Sequence, residues 1–358
     1  MDIIKSTRLY EKWLGRRMTL IPADIRLKHT RMKESVFMFL RATFYRWCQR
    51  WPEVCPEAAG ATKVLAVGDL HVENFGTWRD AEGRLVWGIN DFDEVAHMPF
   101  TIDLVRLAVS AHFATKEGHL KITDAEACDA ILQGYREGLK AGGKAIVLGE
   151  MHHWLRELAM SDLRDPAAFW AKMDALPECR KEVPGSATKA LEVLLPRTCM
   201  EYTVSHRIAG LGSLGRERYV AVGDWNGGKI AREAKRLTAS AYTWARNPKT
   251  KTKDVFYQDA LDRSVRSKDP YVRLEGSWIV RRLAPDCSRV PLASLPKQRD
   301  ELRLLGNMGR ETANMHLGSG KAVKCIVKDL RKLPAKWLPD ATKGMVKATE
   351  EDWEAWRK

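Results

Sequence analysis

The sequence has no apolar run long enough to span a bilayer, and Met1 to Arg8 lacks the basic stretch leading into an apolar core that a signal peptide needs. No membrane association and a cytoplasmic location are therefore the expectations. Paired cysteines are missing too. The seven cysteines, at 48, 55, 128, 179, 199, 287 and 325, are odd in number and scattered, with no Cys-x-x-Cys among them. That argues against a disulfide-stapled scaffold and a zinc ribbon, and leaves reduced thiols used as small buried apolar residues. No internal repeat and no long low-complexity segment is present, so solenoid and disordered classes drop out. Acid is in short supply. Asp and Glu number 46 against 60 Lys and Arg, a formal net charge of +14, which favours an anionic partner: nucleotide, nucleic acid or acidic lipid.

What is present describes a folded protein. Hydrophobic residues make up 45% and charged residues 30% of 358, more chain than one ordinary domain needs, so two lobes are expected. Phe37, Leu40, Phe44 and Trp47 recur at helical spacing within a helical segment over 1–58 that meets breakers at Pro52 and Pro56. The run Val64-Leu65-Ala66-Val67 reads as a buried strand ending at Gly68-Asp69. A turn at Asp80–Gly83 leads into a strand over 84–89 that ends at Asn90-Asp91. Leu104, Leu107, Ala108 and Ala111 predict a helix, with further helices to about residue 200. Tyr202–Ile208, Arg218–Val222, a turn at Gly227-Gly228, and Trp278–Val280 then predict a small antiparallel sheet. Leu305, Met308, Thr312 and Met315 mark a last helix before a basic tail carrying Lys321, Lys324, Lys328, Arg331, Lys332, Lys336, Lys343 and Lys347. That tail is read as a solvated helical face or as a nucleic-acid or phosphate-binding patch.

Two acidic motifs stand out. Asp69 and Asn74 lie five apart at the exit of one strand, and a second strand end delivers Asp91 and Asp93. Phosphoryl transfer uses this inventory: one carboxylate orients the acceptor hydroxyl, while Asn and Asp oxygens, the hard ligands magnesium prefers, hold the ion that neutralises the phosphates. Gly210-Leu211-Gly212-Ser213-Leu214-Gly215 matches Gly-x-Gly-x-x-Gly. The next stretch of chain, Glu217 to Val222, is strand-like, whereas a dinucleotide fingerprint opens a helix. A strand, glycine loop and strand is how kinases cover ATP phosphates, and a plain glycine-rich hairpin is the simpler reading.

The segment Val67 to Arg106 resembles the catalytic half of the aminoglycoside-phosphotransferase and kinase-like superfamily. More closely, the chain resembles the uncharacterised bacterial domain-of-unknown-function family 2252. The residues that carry the resemblance are Gly68-Asp69-Leu70-His71-Val72-Glu73-Asn74-Phe75-Gly76 and Asn90-Asp91-Phe92-Asp93-Glu94, then Pro99-Phe100 and Asp103-Leu104-Val105-Arg106-Leu107, with Phe37–Arg41 upstream.

The resemblance implies Asp69 as the catalytic aspartate, Asn74 and Asp91 as magnesium ligands with Asp93 as a second aspartate ligand, and His71 and Asp103 as structural supports of the loop. Gly210, Gly212, Ser213 and Gly215 would cover the nucleotide. A lysine is implied ahead of Glu-Ala, where this sequence has Ala231-Arg232-Glu233-Ala234-Lys235. Arg232 and Lys229 are therefore the expected nucleotide-binding cations, with Lys235 a neighbouring substitute. Strand alternation lets only one of Lys229 and Arg232 face the cleft. Arg281 and Arg282 would sit near a hinge.

Chain order differs from that of ordinary kinases, because the glycines follow Asp69 by about 140 residues. Gly309–His316 resembles the helix that leads into the catalytic loop of small-molecule kinases, yet it stands near the C-terminus. The fold expected is thus α+β: a bilobal protein-kinase-like fold, circularly permuted. It would comprise an N-terminal helical segment (1–60), a catalytic lobe with a helical acceptor subdomain (61–200), a β-rich nucleotide-covering lobe (201–300) and a returning helix plus basic tail (301–358). The acceptor pocket is expected among the helices between 110 and 200, around His152-His153-Trp154 and Trp170. Those histidines are read as helix-surface and core residues rather than metal ligands, Glu150 being the one acidic neighbour. The function implied is an ATP- and magnesium-dependent phosphotransferase acting on an unidentified small-molecule or protein hydroxyl. The alternatives are a nucleotidyl transferase on the same residues, or a catalytically silent module that binds nucleic acid or protein.

Overall fold

The computed structural model describes residues 1–149, 152–159, 165–179, 182–198, 201–287 and 301–358; Glu150 and Cys199 lie outside them. The chain opens with helices α1 (Ile3–Gly15), α2 (Pro22–Glu34), α3 (Val36–Ala42), α4 (Phe44–Val54) and α5 (Pro56–Ala59). Phe37, Leu40, Phe44 and Trp47 are all buried, as their spacing requires, although the helix breaks at Thr43 between α3 and α4. Strand β1 (Lys63–Ala66) follows, then the hairpin β2 (Phe75–Arg79) and β3 (Leu85–Ile89), and β4 (Ala96–Pro99), which pairs antiparallel with β1. Helices α6 (Thr101–Lys116) and α7 (Asp124–Ala141) come next, then the short β5 (Ile146–Val147) beside β3. A capping box at Thr123 and Glu126 starts α7, and Gly142, left-handed at φ 74°, ends it.

Helices α8 (His153–Ala159), α9 (Pro166–Asp174) and α10 (Gly185–Leu194) lead into a five-stranded antiparallel sheet. Its strands are β6 (Tyr202–His206), β7 (Arg218–Trp225), β8 (Gly228–Arg236), β9 (Val272–Glu275) and β10 (Trp278–Leu283), in the order β6-β7-β8-β10-β9. Between β8 and β9 run α11 (Ala241–Arg246) and α12 (Tyr257–Arg263). The two faces of the sheet are covered differently. Val204, Tyr219, Ala221, Ala234, Trp278 and Val280 pack on Ala187, Ala190 and Leu191 of α10. Val220, Val222, Ala231 and Leu283 pack on Met173, Phe169 and Trp170 of α9.

The chain ends in α13 (Glu301–Leu317), α14 (Ala322–Lys332) and α15 (Trp337–Arg357). The stretch that reads from sequence as a basic tail is therefore helical and packed. Ile326, Leu330, Trp337, Leu338, Met345 and Trp356 join the large core, and the buried Arg46 of α4 pairs with Asp352 at 2.7 Å. Its lysines keep their ammoniums on the exposed side, where Lys321, Lys324, Lys328, Lys332, Lys336, Lys343 and Lys347 all lie. No helix among the described residues is long and apolar enough to cross a membrane. Of the cysteines described, Cys48, Cys55 and Cys128 are buried, Cys179 and Cys287 are partly buried and Cys325 is exposed; all are free thiols.

Helix α13 lies against α7 through glycines. A Cβ on Gly309 would stand 2.2 Å from the Ile131 carbonyl oxygen, and one on Gly134 would stand 1.9 Å from that of Gly306. Neither carbonyl is free to yield, because each belongs to a helix backbone. Gly309→Ala is expected to destabilise the protein by roughly 1–3 kcal/mol through overpacking, despite the gain of about 1 kcal/mol in helix propensity, and to lower the urea midpoint. This close approach brings the end of α13 to β1, where Leu65 N–H donates to Ser319 Oγ at 2.8 Å.

Candidate functional site

The loop after β1 is held from behind. Gly68 has φ 85°, and a Cβ there would meet Met98, Glu94 and Phe44 at under 3 Å, so the backbone turns where only glycine fits. The Val67 and Gly68 N–H groups both donate to the Asp103 carboxylate at 2.7 Å. Asp103 is fully buried in the first turn of α6 and also meets His316 Nε2 at 3.0 Å, while His316 Nδ1 meets the Tyr135 hydroxyl at 2.8 Å. A buried relay thus runs from α7 through α13 and α6 to the loop. Asp69 follows. Its Oδ1 accepts from Nε of the fully buried Arg106 at 2.8 Å and also from Nη2. Arg106 in turn donates to the Leu40 carbonyl and stacks over Phe44 and Trp47. Burial pushes the Asp69 carboxyl up, and Arg106 only partly offsets it.

The rest of the loop is equally tied. Val72 N–H donates to Ser110 Oγ at 3.0 Å, Glu73 N–H to His71 Nδ1 at 3.2 Å, and the Glu73 carboxylate pairs with Arg41 at 2.6 Å. Asn90 N–H donates to the Asn74 carbonyl at 3.0 Å, which locks the first acidic motif to the second. Asn74 is buried, and its side-chain oxygen has no hydrogen-bond partner.

The second motif leaves β3 with Asp91 Oδ1 accepting from Asp93 N–H at 3.2 Å. Lys235, on β8, is buried and places its ammonium 2.5 Å from Asp93 Oδ1 and 3.5 Å from Asp91 Oδ1. Burial works against the Asp91 charge, but Lys235, Arg281 and Arg218 outweigh it and hold that carboxyl below its usual range. Asp93 is pushed up, first by burial and then by the Asp91 charge. Beside them Glu94 pairs with Arg216 at 2.8 Å and accepts from Ala241 N–H at the start of α11.

Between β6 and β7 the glycine segment folds over Asp69 as a short 3₁₀ turn, Leu211–Ser213, with Gly210 and Gly215 at φ 70° and 93°. A Cβ at Gly212 would stand 3.0 Å from the Arg41 carbonyl and 3.4 Å from Asp69 Oδ2. Ser213 Oγ accepts from Arg218 at 2.6 Å. These walls enclose a cleft of about 490 Å³, and Asp69, His71, Asn74, Asp91, Asp93, Gly210, Gly212 and Ser213 all line it. Gly215 does not; it carries the turn out toward Ile21, whose N–H donates to its carbonyl. Asp103 stands behind the loop.

Two expected cations fall elsewhere. Arg232 points to the opposite face of β8 from Glu233 and Lys235, donates to the Leu194 carbonyl at the end of α10, and stacks on Tyr271. Even positions of β8 face α10 and odd ones face α9 and the acidic motifs, so the cation offered to the acids is Lys235. Lys229 shares that odd parity but sits at the hairpin end, paired with Asp174 at 3.0 Å. Arg281 lines the cleft, whereas Arg282 donates to the Arg79 carbonyl. Among the acceptor-region residues, Phe169, Lys172 and Met173 reach the cleft, while His152 is partly buried, His153 is exposed and neither lines it.

Sequence reasoning missed several groups. Glu233, with no exposed surface, is shared by Arg207, Arg218 at 3.0 Å and Arg281 at 2.9 Å, and these guanidiniums hold it well below the usual range against its burial. Strand alternation puts Glu233 and Lys235 on one face of β8, but with both faces of the sheet covered it does not say which face that is. Lys28 and Arg216 carry no local motif, because each is brought in from a distant element, and Arg106, although inside the Asp103–Leu107 stretch, gave no sign of its partner Asp69.

Glu311 of α13 lies behind β3, accepting from Ile89 N–H at 3.3 Å and from Asn314 at 2.7 Å. Burial pushes its carboxyl up from 4.5 to about 7, with Arg266 opposing. The folded protein therefore holds a proton there that the unfolded chain releases. Stability falls as pH rises from about 4.5 to about 7, at up to roughly 1.4 kcal/mol per unit, and levels off above. Urea midpoints of Glu311→Gln should lack this decline and exceed those of the wild type at pH 8.

With this geometry in hand, comparison with known proteins gives one family. Residues 17–182 match the model of the family described as "Uncharacterized protein conserved in bacteria (DUF2252)". The DUF2252 match takes in α2, both acidic motifs and Arg106, and ends ahead of the five-stranded sheet that carries Lys235. Searches of curated proteins and of solved structures found no match.

Proposed function

We infer that the cleft is a magnesium- and ATP-dependent phosphoryl-transfer site of the kinase-like kind, acting on a hydroxyl acceptor. The single observation that carries this reading is the pairing of the buried Lys235 with Asp91 and Asp93, two carboxylates that line the cleft together with Asp69 and Asn74. An ammonium, two carboxylates, an amide oxygen and a further carboxylate under a glycine turn form the donor set such chemistry uses.

The residues fit a magnesium ion. The buried Asn74 side-chain oxygen is unpartnered, and Asp91 and Asp93 supply carboxylates in the lining of the same cleft. Among the described residues no group of three or more His, Cys, Asp or Glu is arranged to hold a metal, so a magnesium ion here would have to take its remaining oxygens from water and phosphate. Bound there, magnesium would neutralise developing phosphate charge. Asp69, fixed through Oδ1 by Arg106, would orient and accept the proton of the acceptor hydroxyl through Oδ2. Asn74 and Asp91 would hold the ion, Lys235 would hold phosphate oxygens, and Asp103 with His316 would keep the loop in place.

The same reading makes the fold a circularly permuted kinase-like one. Residues 61–200 are the catalytic lobe, 201–300 the nucleotide-covering lobe, and 301–358 return to the first. Support comes from the end of α13, which meets β1 and Asp103 through Ser319 and His316. The test is incubation with magnesium and ATP labelled at the γ or α phosphate, together with cell extract metabolites and proteins as acceptors. Transfer of the γ label supports the reading. Transfer of the α label would replace it with nucleotidyl transfer, and no transfer of either would remove it.

A further inference from the structure

Lys28 is a buried residue of the cleft wall that the proposed reaction leaves without a role. It comes from α2, is 6% exposed, and donates to the Gly212 carbonyl at 2.9 Å. No carboxylate among the described residues forms an ion pair with it. The charged groups that face it are Arg216, which opposes its charge, and Glu11, Glu94 and Asp69, which favour it at longer range. A buried ammonium that spends one donor on a carbonyl is costly, and neutral side chains satisfy a carbonyl at less cost. Burial pulls its pKa down from 10.5 to about 8, so it is still mostly charged at neutral pH. Around it the cleft is rich in cations whose countercharge is already shared: Arg207, Arg218 and Arg281 divide one carboxylate, Glu233. Lys172 adds another amine to the lining.

We propose that Lys28, at the glycine turn on the Asp69 side of the cleft, forms a phosphate-binding subsite distinct from the Lys235 site, taking a terminal phosphoryl group. Its ligand is a tetrahedral phosphate, because a compact ammonium gripping from one side and a glycine turn allowing close backbone approach suit a small, highly charged anion. Two sources share that chemistry: the terminal phosphate of the donor nucleotide, and a phosphate already carried by the acceptor. Lys28 comes from α2 and reaches the Gly212 carbonyl, whereas Lys235 comes from β8 and reaches Asp91 and Asp93, and these different anchor points are what separate the two subsites. The inference deepens the reading of the cleft as a phosphoryl-transfer site, and its test is arranged to fail separately.

Calorimetric titration of the full chain with inorganic phosphate and pyrophosphate, without magnesium, and with ATP plus magnesium, compares wild type, Lys28→Met and Lys28→Arg. Lys28→Met is expected to bind phosphate at least tenfold more weakly, with partial recovery in Lys28→Arg. If the loss extends to ATP, the subsite belongs to the donor; if ATP binding is unchanged and only phosphate and phosphate monoesters are lost, it belongs to the acceptor. Lys28→Met should also melt at or above the wild-type temperature, since a residue kept for binding costs stability. Phosphate and ATP binding within twofold of wild type in Lys28→Met, or no phosphate binding by the wild type, overturns the proposal, as does a Lys28→Met variant that melts far lower while binding normally. A wild type inert toward labelled ATP that still binds phosphate through Lys28 would remove the transfer reaction and leave the subsite standing.

Discussion

Asp91→Asn is expected to lower the rate of phosphoryl transfer on the order of a thousandfold while leaving the protein folded, the scale seen when one preorganised charge is removed from such a centre. The substitution keeps the shape of the side chain and its ability to accept from Asp93 N–H, a bond of 3.2 Å in the wild type. It removes the charge that Lys235, Arg281 and Arg218 hold in the ionised form. It also relieves Asp93, whose carboxyl is pushed up partly by its neighbour. The melting temperature should therefore change little while the transfer rate falls. Initial rates with γ-labelled ATP and a thermal melt on the same sample check both halves.

Lys235→Met is the second large effect, and it is read best against Arg232→Met. Lys235 stands 2.5 Å from Asp93 and 3.5 Å from Asp91, and it is the ammonium that reaches both. Without it two partly buried carboxylates are left without their shared ammonium, so the variant should melt lower in the absence of magnesium. Its transfer rate should fall about a hundredfold to a thousandfold. Arg232 lies on the other face of the same strand, holding the end of α10 through the Leu194 carbonyl. Arg232→Met should lose stability and keep its turnover per folded molecule. A reversed pattern, with turnover following Arg232, would return the nucleotide-gripping role to that side chain.

The contrast between these two residues shows where the sequence was legible and where it was not. Motifs confined to one strand end could be read directly: Gly68 to Asn74 and Asn90 to Asp93 carry their geometry in their own spacing, and the hydrogen bond from Asn90 to Asn74 joins them. Strands β1, β3, β6, β7 and β10 and helices α6 and α13 fall where apolar periodicity puts them. The phase of β8 could not be read the same way. Arg232 and Lys235 are both cations on a strand whose two faces are both covered, by α9 and by α10, so hydrophobic alternation does not tell one face from the other. Only the packing of Ala234 on α10 decides it. Arg106, Lys28 and Glu233 were out of reach for a different reason. Their roles depend on partners 37, 184 and 15 or more residues away, and no local pattern encodes such a meeting. The basic C-terminal stretch was legible in part: its lysines do mark a solvated helical face, while the apolar stripe that carries the same two helices into the core went unread.

The measurement that bears most directly on the cleft is a calorimetric titration of the full chain with ATP in the presence and absence of magnesium, repeated on Asp91→Asn. A magnesium site built from Asn74, Asp91 and Asp93 predicts ATP binding that strengthens at least tenfold with magnesium in the wild type and gains nothing from it in Asp91→Asn. Binding that ignores magnesium in both proteins, or no ATP binding at all, would contradict it.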